Sequence, residues 1–231
     1  VAVTSSDEVN LLACQIAQAR FRTPTRVARL RESEYLDLAV LKDPRTSPVT
    51  AAISPEHLVV QHIDRMIGYP GALQVLDFAQ GRAQLVAVRA IEGGALVGHQ
   101  IRELRGHLPA GADARVAAIF RRGRPVKPEA STVIEIDDEV FFLAERRHIP
   151  AVMAELRRVE KRPTRRVLIA GGGNIGRNLA KALENRYSVK VMERSRERAR
   201  SIAEDLLNTI VLVGDCADEE LLREENIDQT D

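Results

Sequence analysis

Arg166-Val167-Leu168-Ile169-Ala170-Gly171-Gly172-Gly173-Asn174-Ile175-Gly176 is a short apolar run that breaks into glycines and continues as a helical stretch from Arg177 to Glu184. Strand, glycine turn and helix in that order are the context in which G-x-G-x-x-G signals a dinucleotide-binding unit. Each glycine then has its own role. Gly171 permits the tight turn, Gly173 lets a pyrophosphate approach the backbone, and Gly176 lets helix and strand pack closely. The helix start, with Asn174 and Ile175 among the candidate contacts, offers unpaired amides and a positive dipole end to phosphate.

Outward from the loop, a second strand over Ser188 to Met192 ends in Glu193. An acid about 20 residues beyond the glycines accepts the ribose hydroxyls of an adenosine. A carboxylate there disfavours a 2′-phosphate, so NAD(H) is preferred to NADP, a preference that the adjacent Arg194 softens. A third strand, Thr209 to Val213, runs into Gly214-Asp215-Cys216 and brings Asp215, with Cys216 beside it, to the expected adenine edge. The other reading of Asp215 is a turn or helix cap, a role that Asp218 before the short helix Glu219 to Glu224 also suits. Three strands make half of a doubly wound sheet.

The complementary half is expected at the other end of the chain. Val1 to Thr4 is strand-like and opens without an initiator Met, which reads as an interior start. Ser5, Ser6 and Asp7 are capping residues ahead of a helical period in Val9, Leu12, Ala13, Cys14, Ile16 and Ala17, and Arg26 to Leu30 is a further strand. After a loop over Pro48 to Ala52, Ser54 caps and Pro55 starts a helix through about Met66, which Gly68 to Gly71 breaks. Short strands then follow at Leu73 to Phe78, Ala83 to Val88, Val116 to Arg121, Thr132 to Ile136 and Val140 to Ala144, with a short helix over Gly98 to Arg105. Ile149 to Glu160 reads as a helix with Ala151, Val152, Leu156 and Val159 inward, and the basic run Lys161 to Arg166 as a solvated connector. The expected fold is α/β: Rossmann-type doubly wound parallel sheets, partial at both ends, with a small α+β subdomain between them. The expected divisions are 1–70, 71–148, 149–165 and 166–231. A piece of a longer protein in which this pair of domains repeats is the organisation these halves suggest.

Composition narrows the function classes. Apolar residues make up 45% of the 231 and charged residues 29%, which suits a folded globular chain. Lys plus Arg total 34 against 33 Asp plus Glu, so no overall field draws the chain to nucleic acid or an anionic bilayer. The longest apolar runs are strand-sized, and no direct membrane insertion is expected. Cys14 and Cys216 are far apart and in no metal-ligand spacing, so both read as small buried thiols of a reducing cytoplasm.

The whole chain resembles the regulator-of-potassium-conductance family. Val1-Ala2-Val3-Thr4-Ser5-Ser6-Asp7-Glu8-Val9-Asn10 is similar to the family's fourth strand and helix cap, and Arg26-Val27-Ala28-Arg29-Leu30-Arg31 with Glu34-Tyr35 to its fifth strand and exit. Gly68-Tyr69-Pro70-Gly71-Ala72 with Asp77-Phe78 and Gly81 resembles the crossover, and Leu96-Val97-Gly98 with Ile101-Arg102-Glu103-Leu104 the opening of the C-terminal subdomain. Arg124-Pro125-Val126-Lys127-Pro128 and Ile136-Asp137-Asp138-Glu139-Val140 resemble its final turn and strand, with Asp137 where many members carry Gly. The resemblance implies tandem Rossmann units that bind NAD(H), and in relatives ATP or ADP. It implies a homo-oligomeric ring on the cytoplasmic face of the plasma membrane, gating a potassium-transporter subunit of the Trk type. Carried over, Thr4, Ser5 and Asp7 fall at the cofactor-facing edge of the first unit, and Arg29 and Arg31 meet nucleotide phosphates, their own or a neighbouring subunit's.

Two other classes compete. An NAD-dependent oxidoreductase needs a proton donor or acceptor near the nicotinamide. His57, His62, His99, His107 and His148 form no such constellation in the sequence, and His57 and His62 read as ordinary helix residues rather than metal ligands. A passive scaffold with a vestigial glycine loop differs from the regulator only in binding no nucleotide.

Overall fold

The computed structural model describes residues 1–32, 35, 38, 41, 43, 45–157 and 166–230. The chain folds as two compact units, one made of Val1–Asp64 with Thr164–Asp231, the other of Arg65–Pro163. Both sheets of the first unit are parallel.

In the first unit, α1 (Asp7–Phe21) begins where the Ser6 hydroxyl accepts the Val9 amide at 3.2 Å, and ends on Arg22 in the left-handed region. Its Cys14 packs with Ala28, Leu30 and Val49 under the two-stranded sheet of β1 (Val27–Arg29) and β2 (Ala51–Ile53). Val1 to Thr4, expected as a strand, contributes only one parallel bridge, Ala2 to Ala28. Helix α2 (Pro55–Gly68) starts as expected, with the Ser54 hydroxyl accepting the His57 amide.

The second unit is a sheet backed by one helix. Strands β3 (Ala72–Phe78), β4 (Ala83–Arg89), β5 (Ala114–Arg121), β6 (Arg124–Val126) and β7 (Glu139–Glu145) assemble antiparallel in the order β3-β4-β7-β5-β6. Alternate residues Val75, Val86, Val88, Ile119, Val140 and Phe142 are buried on one face. They share a core with Ile149, Val152, Met153 and Leu156 of a later helix, α4 (Ile149–Leu156). The short helix expected over Gly98 to Arg105 is a 3₁₀ turn, Ile101–Glu103, running into α3 (Leu104–His107). Thr132 to Ile136 is not a strand. Only Val133 bridges, to Gln100, through the Ile134 amide on the His99 carbonyl and the Ile101 amide on the Thr132 carbonyl, and the pairing stops where Ile101 enters its 3₁₀ turn. The expected Val159 and the connector Lys161 to Arg165 lie outside the described residues.

The remaining part of the first unit carries the glycine loop. Strands β8 (Arg166–Ala170), β9 (Ser188–Glu193) and β10 (Thr209–Val213) pair parallel in the order β10-β9-β8. Helices α5 (Asn174–Leu183), α6 (Arg196–Asp205) and α7 (Glu219–Glu224) follow them in turn. Leu179, Ala180 and Leu183 of α5 and Ala199 and Ile202 of α6 are buried, as are Val189, Val191 and Met192 of β9, the strand on which both helices pack. At about 25 cal/mol per Å² of apolar surface, this burial is what holds strands and helices together.

Candidate functional site

The loop between β8 and α5 has the backbone that its glycines predict. Gly171 sits at φ +101°, a region that a side chain rarely adopts, and its amide donates to the Met192 carbonyl at 2.8 Å. A β-carbon at Gly176 would lie 1.9 Å from the Gly171 carbonyl oxygen, so helix and turn touch there through backbone alone. Gly173 is different: it is exposed, and a β-carbon on it would meet nothing within 4 Å. Gly173 is also the N-cap of α5. Ser6, Ser195 and Asp218 supply a side-chain oxygen to the first turns of α1, α6 and α7, whereas Gly173 has none to give. The exposed Asn174 and Ile175 open that turn.

Glu193 closes the other side of the loop. Its side chain is buried at the end of β9; Oε2 accepts the Gly172 amide at 2.9 Å and Oε1 the Ser195 amide at 2.8 Å. Oε2 keeps a lone pair beyond its bond, while Oε1 also accepts Arg198 Nη1 at 3.5 Å. The Ser195 amide first and the Gly172 amide second hold its carboxyl below the ordinary 4.5; burial opposes them, and Arg198 adds a smaller pull. A depressed folded-state pKa means that this stabilisation is complete above the unfolded value and is lost as pH falls through the folded one. Denaturation midpoints followed from neutrality to acid are therefore expected to fall below about pH 4.5, and Glu193→Gln to flatten part of that acid limb. An identical acid limb in the variant would assign the loss to other carboxylates.

Arg194 and Asp215 form a loose exposed pair, Nη1 to Oδ2 at 3.7 Å. Asp218 is the cap of α7, accepting the Glu220 and Leu221 amides, and Asp215 instead accepts the Ala217 amide in a turn. Cys14 is buried as expected. Cys216 is not, because it follows β10 into an exposed turn beyond the sheet's cover.

At the N-terminal part of the unit, Thr4 and Ser5 are exposed and Asp7 is buried. Asp7 Oδ2 accepts the Arg31 and Glu32 amides at 2.7 and 3.0 Å, and its Oδ1 has no hydrogen-bond partner among the described residues. Arg29 Nη2 donates to the Thr4 carbonyl at 2.7 Å, and Arg31 is half-buried. Asn174 Nδ2 donates to Glu32 Oε1 at 3.2 Å, so the glycine loop and the exit of β1 touch.

Three further residues shape these groups. Asn10, fully buried, accepts the Thr4 amide and hydroxyl and donates to the Thr4 and Arg29 carbonyls. Gly172 is crowded by Ile202 and Glu193, so a side chain at the middle glycine would displace the Ile202 methyl group beside the Glu193 carboxylate. Ser195 both caps α6 and binds Glu193. Of the three, Ser195 carried a sequence signal, a serine ahead of the Ala199 and Ile202 helical spacing.

Comparison with known proteins agrees with this architecture. Residues 167–231 match the TrkA-N domain and residues 85–157 the TrkA-C domain. Over the whole chain, the Trk system potassium uptake protein TrkA of Vibrio alginolyticus is 56% identical and that of Halomonas elongata 53% identical. The chain spans about half the length of these curated relatives, 50% of each. Among solved structures, the GsuK RCK domain superposes over 99% of this chain and 47% of its own, with a TM-score of 0.60 at 19% identity. A GsuK channel bound to NAD covers 99% of this chain and 39% of its own, with a TM-score of 0.61 at 17% identity. No helix among the described residues is long and apolar enough to cross a membrane, and no cluster of three or more potential metal ligands occurs among them.

Proposed function

Because the chain belongs to the TrkA family of Trk system potassium uptake proteins, we propose that it is part of a nucleotide-sensing regulator of a membrane potassium-uptake transporter, with NAD(H) bound at its glycine loop. The observation that carries this reading is the open face of Gly173 next to the buried carboxylate of Glu193, at the ends of adjacent parallel strands. The uncapped first turn of α5 would meet the pyrophosphate, Glu193 the ribose hydroxyls, and Asp215 with its neighbour Cys216 the adenine edge. The NAD-bound GsuK channel shares the fold, which supports the choice of ligand. In the N-terminal part, Thr4, Ser5, Asp7, Arg29 and Arg31 are proposed to face nucleotide as well, with ATP or ADP as the alternative ligand there. An arginine fork suits phosphate.

Regulation sets a physical requirement. A ligand shifts an assembly between two shapes only by the difference in its affinity for them. In the proposed protein the assembly is a homo-oligomeric ring docked peripherally on the cytoplasmic face of the transporter. Ligand exchange at the loop would change the balance of ring shapes.

Calorimetric titration of NADH, NAD, NADPH and ATP into the protein tests the binding step. Saturable NADH binding is expected. Glu193→Ala is expected to weaken it by about tenfold or more, through loss of charged hydrogen bonds to ribose. Gly173→Val is expected to abolish it while leaving the fold intact, since Gly173 sits at φ −67° with open space around it. No binding of any nucleotide would leave only the scaffold.

A further inference from the structure

Glu193 has a cationic neighbour that sequence adjacency does not single out. Arg194 follows it in the chain, yet its side chain is 82% exposed and turns toward Asp215. Arg198, in the first turn of α6, is the guanidinium that reaches the acid, with Nη1 3.5 Å from Glu193 Oε1. We propose that Arg198 is the specificity-determining residue of the ribose pocket, a guanidinium that swings from Glu193 onto a 2′-phosphate and so lets the site accept phosphorylated as well as plain adenosine. The inference rests on the nucleotide reading above.

Three features support it. The Glu193 carboxylate is already held by the Gly172 and Ser195 amides, so it keeps its place and charge when Arg198 leaves. The Arg198 contact is at the outer limit of hydrogen-bond length, and its side chain is 59% exposed. A pair of that kind contributes little to folding, and the guanidinium is free to exchange partners. Its backbone, by contrast, is anchored: the Ser195 hydroxyl accepts the Arg198 amide at 3.3 Å, and the neighbouring Ala199 is buried. The side chain therefore pivots from a fixed point beside the acid that would contact the ribose.

A bare carboxylate at that point repels a 2′-phosphate through like charge at close range. A guanidinium fork beside it binds phosphate through two parallel bonds. Arg198 thus decides whether Glu193 acts as a filter against the phosphorylated cofactor.

The test is calorimetric titration of NADH and NADPH into the parent protein and into Arg198→Ala, Arg198→Lys and Arg200→Ala. Arg200 lies on the same helix and pairs with Glu204 at the surface. The parent is expected to bind NADPH within about tenfold of NADH, and Arg198→Ala to weaken NADPH by about tenfold more while NADH changes by about threefold or less. Arg198→Lys should keep part of the NADPH affinity, and Arg200→Ala the parent ratio. If the parent binds NADH and the ratio is the same in Arg198→Ala, the role of Arg198 is overturned and the nucleotide site stands. If the parent binds neither cofactor, both fall together.

Discussion

Gly176→Ala is expected to destabilise the glycine-loop half of its unit by about 3 kcal/mol or more, a large effect for one added methyl group. Its β-carbon would be placed 1.9 Å from the Gly171 carbonyl oxygen and 3.1 Å from the carbonyl carbon. Both are backbone atoms, so no rotamer change relieves the clash. Helix α5 has to lift from the turn, and Leu179, Ala180 and Leu183 lose part of their cover. Nucleotide binding is expected to fail with it, because the turn that presents the first-turn amides is the part displaced. Urea denaturation compared with the parent and with Gly173→Ala is the measurement. Gly173→Ala meets no atom within 4 Å and is expected to shift stability by only about 0.5 kcal/mol. Equal midpoints for Gly176→Ala and the parent would show that α5 does not rest on the turn as described.

The second large effect lies in the antiparallel unit. Asp138 is fully buried; Oδ1 accepts Arg121 Nε at 2.8 Å, and Oδ2 accepts Arg121 Nη2 and the Glu135 amide, each at 2.9 Å. Asp138 and its partner Arg121 tie β5 to the turn before β7, a turn in which Asp137 adopts φ +68°. The aspartate side chain tolerates that conformation better than most. Asp138→Ala removes the buried charge and leaves Arg121 Nε and the Glu135 amide without their acceptor, while the rest of the guanidinium keeps Glu135 and the Val133 carbonyl, with an expected loss of about 3 kcal/mol. Pairing it with Arg121→Met should recover part of that loss, since no Nε donor is then left facing the emptied carboxylate position. Glu135→Ala is the control. Its side chain is 56% exposed, and its contact to Arg121 is expected to contribute about 0.5 kcal/mol. A double variant no more stable than Asp138→Ala alone would mean that the clasp acts through geometry rather than charge.

The legible parts of the fold are those whose conformation is local. Strands β8 and β10 and helix α7 have the limits that their apolar runs, glycines and caps indicate. Helix α6 has a weak sequence signal because Arg and Glu are half of its residues and only Ala199 and Ile202 are buried. Strand β2 is weakly marked for a related reason: Ala51–Ile53 is exposed, and its pairing with β1 rather than any alternation makes it a strand. Thr132 to Ile136 shows the opposite error. Its β-branched residues Thr132, Val133, Ile134 and Ile136 favour an extended backbone, but the pairing there is a single bridge to Gln100.

The sequence by itself determined that a glycine turn and an uncapped helix start follow β8, because a positive φ and a missing cap are properties of successive residues. It also determined that an acid stands at the end of the next strand. Which groups surround that acid was decided only by the tertiary structure. Gly172 and Arg198 reach Glu193, while Arg194 turns away, because a side chain's neighbours depend on where strand, loop and helix axis come to rest. Spacing along the chain encodes the backbone's own turns; partners across space are selected by packing, which no single segment contains.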